Sequence, residues 1–509
     1  MFFRLARRAA LATVFFAASL PAIGQQYMPL PPNSVVANLT PHSRPAWAAT
    51  IQELAAALNQ VGGQITVGSP GLPPTPGHAA IWAPGINQIV DGGFPIGSMA
   101  GQNWNAVAIT GGSITGLPTP TASSDAATKG YVDSFTQPTQ CTMARTVGLI
   151  GDGTTDNTAA FNTWLSALST SSGCLEFGIG KYRFNSAISK TMSTGRQMIQ
   201  IRGQGLDASI LYWPSGGGLK LINTNTNNYV NIHDLSFTTG ATNAGNGLSL
   251  DTTGNPLAFG GVNTLYNLSF RGDDYTSNTV NSFYWAVGLK IRNWNNVNVY
   301  NIATAGLFSL TFGDPGGGIG LEYGCVPSNI CAVLNVSNSQ FFYHNIYIQL
   351  DDFWESAVLT NNMLLGQVGG VGLYVPSGTH TGPLLQLIGN QFNTGGQQID
   401  ILTSITQIIM QGNTITTFDT NDLGAILGTC VSPIIVGNMW NHRAGTNTTA
   451  LSMNCTNGTV VGNIFANTAV GVSLGASSTN VNVSQNSYTG VTTHVSNSGT
   501  GNSVGVATQ

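Results

Sequence analysis

Charge is scarce in this chain. Lys and Arg number 16 and Asp and Glu 20 among 509 residues, 7% in all, against about 25% in typical globular chains. No basic run occurs beyond the first eight residues, which argues against nucleic-acid binding by phosphate neutralisation. No apolar run approaches the roughly 20 residues that cross a bilayer. No Cys-x-x-Cys, His-Glu-x-x-His or Cys/His cluster appears, so a zinc site has no ligand set. The helix-favouring surface residues Glu, Lys and Arg are rare, and a helical fold has little to expose. In their place stand 64 glycines and abundant Asn, Ser and Thr, residues of turns and strand edges. The resulting neutral surface of amides and hydroxyls suits a carbohydrate partner.

The first 25 residues read as a secretory signal: Arg4, Arg7 and Arg8, then a largely apolar stretch from Ala9 to Leu20, then Pro21-Ala-Ile-Gly-Gln25. A virion-attachment segment is the alternative. Six cysteines suggest three pairs, Cys141 with Cys174, Cys325 with Cys331 and Cys430 with Cys455, although spacing alone does not fix connectivity. Together these point to a secreted, extracellular protein. Residues 26–98 form a Pro/Gly-rich module in which Ile51, Leu54, Ala55 and Leu58 predict a helix near Trp47–Leu58. Residues 99–140 have the composition of a stem or linker.

The remainder, residues 141–509, is ordered by an internal repeat. A four-residue word recurs ten times: Asp234-Leu-Ser-Phe, Asn267-Leu-Ser-Phe, Asn301-Ile-Ala-Thr, Asn338-Ser-Gln-Phe, Asn361-Asn-Met-Leu, Gly389-Asn-Gln-Phe, Gly412-Asn-Thr-Ile, Gly437-Asn-Met-Trp, Gly462-Asn-Ile-Phe and Gln485-Asn-Ser-Tyr. Later copies lie 23–28 residues apart and earlier ones 33–37. Each word sits between short alternating segments such as Ile408-Ile-Met410 and Ile399-Asp-Ile401. Period-2 alternation turns the outer pair inward and the middle residue outward. This pattern predicts an all-β chain, a right-handed, single-stranded parallel β-helix of about ten coils. A propeller blade needs about 40–45 residues and a leucine-rich repeat a fixed leucine frame, and neither fits. Asn390, Asn413, Asn438, Asn463 and Asn486 are expected to stack as a ladder, with Cys430 and Cys455 one coil apart.

Gly151-Asp-Gly-Thr-Thr-Asp156 followed by Thr158-Ala-Ala-Phe161 resembles the opening motif of the pectate-lyase-like superfamily, which includes polygalacturonases, rhamnogalacturonases and tailspike depolymerases. Phe161, Trp164, Leu165 and Leu168 share one helical face that would cap the solenoid, with Asp156 or Asn157 at its start. Asp152 and Asp156 are best explained by turn and cap chemistry. Asn33-Ser-Val-Val-Ala-Asn-Leu-Thr40 and Ala126-Ala-Thr-Lys-Gly-Tyr-Val-Asp133 resemble the N-terminal regions of phage tail-fibre and tailspike proteins. That resemblance implies a homotrimer and a virion tail of prophage origin.

Aligning the coils puts Ser249, Lys290, Glu322, Gln349, Tyr374 and Asp400 in one outward column, with Asp251, Arg292, Gly324, Asp351 and Pro376 in the next. The candidate acids are Asp273, Asp274, Glu322, Asp351 and Asp352, since glycoside hydrolysis needs a carboxyl pair. Asp251, Lys290, Arg292, Tyr343, Trp354 and Tyr374 are the candidate substrate contacts, the aromatics as faces for sugar rings. A lyase would instead use a Lys or Arg base, with calcium held by carboxylates neutralising a uronate. The alternative is a charge ladder that only holds coils in register. The Asn-Thr-Asp, Gly-His-Gly and Arg-Ile-Lys signatures of polygalacturonase-type members are missing, so no family catalytic residue carries over. The reading is a polysaccharide-binding, polysaccharide-degrading β-helix, with a non-catalytic adhesin or structural tail protein as the alternative.

Overall fold

In a computed structural model, the described residues are 141–505, with interruptions at 169–170, 194, 226, 253–260, 277–278, 310–315, 327–328, 367–368, 379–380, 418–423 and 444–447, and four strands earlier in the chain. The chain divides into two compact units, residues 1–129 and 130–509. In the first, Ser34–Ala37 pairs antiparallel with Trp47–Thr50, and His78–Ala83 with Gln88–Pro95. The helix expected from Trp47 is therefore corrected at its start. Residues 47–50 pair with a β-branched Val35-Val36 segment, and cross-strand pairing overrides a weak helical period. The signal-like residues 1–25 and the stem 99–140 lie outside the described residues.

The second unit is a right-handed parallel β-helix. Each coil contributes strands to three faces in chain order. In the first full coil these are Gly173–Glu176, Gly180–Arg183 and Ile188–Met192. Every strand pairs in parallel with its counterpart one coil on. The third face runs from Ile188–Met192 to Thr493–Asn497 through twelve coils. Stacked at about 4.8 Å, they extend roughly 58 Å. The ten words mark only the last ten coils; the first two turn the same corner without one.

The word is a corner in four parts. Its first residue always has a left-handed backbone, with φ from 51° at Asn267 and Asn338 to 66° at Gly462. Only Gly, Asn and Asp occupy that region cheaply, and Gln485 (φ 55°) departs from the rule. The second residue turns inward and the fourth enters the core. Fourth residues stack between coils, Phe237 on Phe270 and Trp440 on Phe465 on Tyr488, and Trp213, two positions past the rung below Phe237, stacks on Phe237 as well.

The asparagine ladder is present and longer than expected, from Asn362 to Asn486, each residue 1% exposed. Asn413 shows the unit. Its Oδ1 accepts from the Asn390 backbone N–H at 2.9 Å and the Asn390 amide at 3.1 Å. Its own amide donates to Leu387 O at 2.7 Å and Asn438 Oδ1 at 2.8 Å. The side chain thus satisfies corner backbone that no strand pairs.

Helix α1 (Thr158–Ala167) covers the N-terminal end, burying Phe161, Trp164, Leu165 and the following Leu168. Asp152 accepts from the Thr154 and Thr155 amides, and Asp156 from the Thr158 amide at 3.0 Å. Both are turn and cap groups, and their hydrogen bonds to threonine hold both carboxyls below the usual range. Asn157 at the N-cap bonds the Ile150 backbone rather than the helix. All three expected disulfides form, and Cys430 and Cys455 are register partners with Cα atoms 4.4 Å apart. Three disulfides fit an oxidising, extracellular environment. Among the described residues no helix is long and apolar enough to cross a membrane.

Candidate functional site

The expected outward column exists on the third face. Lys220, Ser249, Lys290, Glu322, Gln349, Tyr374 and Asp400 are successive register partners. Alternation puts them outside because their flanking Leu and Ile residues are core. Leu289, Ile291, Leu321 and Ile348 are fully buried.

Ion pairs connect the column to its neighbour. Lys290 Nζ lies 2.9 Å from Glu322 Oε1. Arg292 Nη2 reaches Glu322 Oε1 at 3.0 Å and Asp351 Oδ2 at 2.5 Å. Gln349 donates to Asp351 Oδ1 at 2.6 Å, and Lys220 pairs with Asp251 at 2.9 Å. One guidanine nitrogen therefore bridges two carboxylates. Burial pushes the Asp351 carboxyl up; the Gln349 amide and Arg292 oppose this, and the Glu322 carboxylate adds to the rise. Asp400, two coils on, is also raised by burial. In every pair on this face the cation is the more exposed partner: Lys220 45% against Asp251 29%, Lys290 26% against Glu322 6%, Arg292 29% against Asp351 12%. The surface offered to solvent is a row of cationic tips over sunken carboxylates.

The other candidate residues do not join this cluster. Asp273 pairs with Lys181 of the second face at 2.6 Å, and Asp274 accepts from the Ser282 and Phe283 amides of its own loop. Asp352 is half-buried, packed against Gly378. Trp354 is corrected outright. It is 0% exposed and offers no face to a sugar: it lies out of step with the buried Ala357 and Leu359, so the alternation of this strand breaks before Ala357 and the ring turns inward. Tyr343 is half-buried against Phe308, with centroids 4.6 Å apart, and Tyr374 is a half-buried member of the column. His344 is buried, held between Thr304 Oγ1 and Gly317 O. Among the described residues no three His, Cys, Asp or Glu side chains converge as metal ligands. Lys290 and Arg292 already sit between the acids, so the donor set does not fit the calcium ion that a lyase reading implied.

Three contributors were not among the expected residues. Lys220 was legible as the middle of Leu219-Lys-Leu221, one coil before Ser249. Tyr266 and Tyr300 stand outward on the first face, and the alternation in Val297-Asn-Val-Tyr300 would have found the second of them.

The fold defines the class: a parallel β-helix with one charged face. It is similar to the A-module of the mannuronan C-5 epimerase AlgE6 of Azotobacter vinelandii, at 15% identity over 72% of this chain and 99% of that one, with a TM-score of 0.54. The AlgE4 A-module from the same organism gives 13%, 72%, 100% and 0.51. Tailspike protein 3 of bacteriophage CBA120 gives 13%, 74%, 62% and 0.37. No protein-family model matches the chain, and no curated protein matches it. The similarity is one of fold.

Proposed function

We propose that the chain is an extracellular polysaccharide-binding β-helix whose third face, over Lys220, Lys290 and Arg292, holds an acidic glycan. One observation carries this: on that face each cation is more exposed than the carboxylate it pairs with. A polyuronate lying along the column would meet ammonium and guanidinium groups first. The carboxylates below fix those groups in position, which lowers the ordering cost of binding. Gln349 and Tyr374, both half-buried, flank them as neutral partners for hydroxyls. The β-helix fold shared with the mannuronan C-5 epimerase A-modules is compatible with this substrate class.

Cleavage is the second reading, favoured by Asp351. A carboxyl raised by burial beside a second carboxylate is the arrangement an acid catalyst needs. In that reading Asp351 protonates the leaving oxygen and Glu322, paired with Lys290 and Arg292, supports the charge that develops. The residues of the phage-like resemblance lie largely outside the described part, so a trimeric virion tail remains the alternative setting for the same surface.

The test uses the full chain with polygalacturonate, alginate and neutral dextran. Salt-sensitive binding to the two polyuronates, weakened at least tenfold by Lys290→Ala with Arg292→Ala, is expected. Equal affinity for dextran would sink the acidic-glycan assignment. New reducing ends or unsaturated-uronate absorbance, lost in Asp351→Asn, would establish cleavage.

A further inference from the structure

The first face carries a second outward column, far less charged than the third. Glu176, Arg202, His233, Tyr266, Tyr300, Ser337 and Thr360 are successive register partners. Glu176 and Arg202 close its lower end as an ion pair at 2.5 Å. Above them three rings stack along the axis. His233 and Tyr266 have centroids 4.4 Å apart and planes 7° apart; Tyr266 and Tyr300 are at 4.8 Å and 1°. His233 is fixed from the side by Asp234 at 2.6 Å. The stack then stops. The next two rungs are Ser337 and Thr360, side chains far shorter than a tyrosine.

The ring of Tyr300 therefore ends the stack with one face towards a notch. It is 38% exposed, among the few large hydrophobic side chains so placed. The notch floor is Ser337 and its flank is the Asn298–Asn335 amide pair, hydrogen-bonded at 2.7 Å, with exposed Asn338 at the corner. No charged group lines it. The nearest cation in the column, Arg202, is three rungs away and already paired.

We propose that this notch is a binding subsite for a neutral pyranose ring, stacked on the free face of Tyr300. The next rung lies about 4.8 Å above Tyr300, close to the spacing already adopted by Tyr266 and Tyr300, so a sugar ring takes the place of the missing aromatic. Its axial C–H groups meet the electron-rich face. Its hydroxyls reach the Asn298, Asn335 and Asn338 amides and the Ser337 hydroxyl, all able to donate and accept. Without a cation at the notch, a nucleotide or a uronate has no charge partner. The lower stack holds Tyr300 rigid, so little side-chain entropy is lost on binding. The site is separate from the third-face cluster and does not rest on it.

The experiment is saturation-transfer NMR on the full chain with methyl β-D-glucopyranoside, methyl β-D-galactopyranoside and cellohexaose, with near-UV tyrosine absorbance as the second readout. At least one probe should show transfer concentrated on its C–H protons. Tyr300→Ala should weaken that binding about tenfold or more, whereas Tyr300→Phe should stay within about twofold. Ser337→Tyr, which continues the stack and fills the notch, should abolish binding while the thermal midpoint and polygalacturonate affinity stay unchanged. Absence of transfer from all three probes overturns the proposal. So does unchanged binding in either Tyr300→Ala or Ser337→Tyr.

Discussion

The two halves of the solenoid solve the same corner differently. In the first three words the inward residue is apolar, Leu235, Leu268 and Ile302, each at most 1% exposed, and in the fourth it is Ser339, which links Ile302 to Asn362. From Asn362 onward it is asparagine, and each amide bonds the next. The earlier coils are long and irregular and carry the charged third face. The later ones are short and even, and beyond Asp400 their outward column is Ile426, Ser452, Ser473 and Ser496. A hydrogen-bonded ladder fixes coil length because every rung must meet the next. An apolar corner tolerates insertions on either side. The half that gave up the ladder is the half with loops and a charged surface, which is where function is expected.

The largest expected effect breaks the ladder. Asn413→Ala orphans the Asn390 backbone N–H and the Leu387 carbonyl and interrupts two amide contacts, for a loss of about 4 kcal/mol. Denaturant unfolding measures it, and a loss below about 1 kcal/mol would mean the ladder contributes little. Leu268→Ala in the other half should cost about 3 kcal/mol by leaving a cavity instead.

Next comes acid sensitivity, which belongs to the earlier half. Burial lowers the His344 pKa from 6.5 to about 4. The unfolded chain takes up a proton below about pH 6.5 that the folded chain refuses until about pH 4. Stability from this group is therefore full above pH 6.5 and falls as pH drops, by about 3 kcal/mol across that window. His344→Gln should flatten this part of the pH–stability curve; an unchanged slope would refute the assignment.

Smaller again is the contrast between faces. Arg292→Met should reduce polyuronate affinity about tenfold, whereas Ser452→Met, on the same face in the uncharged half, should leave it alone. Equal effects would show that charge on the third face is only register.

The smallest effect concerns Asp351. Its folded pKa is raised, so the unfolded chain releases its proton first and stability falls as pH rises from the ordinary carboxyl value through the raised one. Asp351→Asn should remove that fall, seen as a flatter denaturation midpoint on the alkaline side of pH 4. A fall that persists in the variant would assign it to another group, such as Asp400.

Much of this was written in the chain. The repeated word, its left-handed first residue and the apolar–variable–apolar triplets specify strands, corners and coil length, and the repeat puts Cys430 one coil from Cys455, because each is a local or one-coil relation. The column of Ser249, Lys290, Glu322 and Gln349 followed from the same period. The aromatic residues did not yield so easily: Trp354 looked like a glycan platform and is core, while Tyr300 was passed over and is exposed.

The reason is that alternation states only that neighbours point opposite ways; corners and bulges decide which way each strand begins. Likewise Asp273 and Asp274 stood among the acids in sequence, but their loop leaves the second face and delivers Asp273 to Lys181. The sequence by itself determined a stacked-coil solenoid and the composition of its outward columns, since those depend on period. Only the tertiary structure decided depth and pairing. It showed which partner of each ion pair sinks, that Arg292 bridges Glu322 and Asp351, and that the aromatic stack ends at Tyr300. Those properties arise between residues as far apart as 59 positions in the chain, where no local pattern reaches.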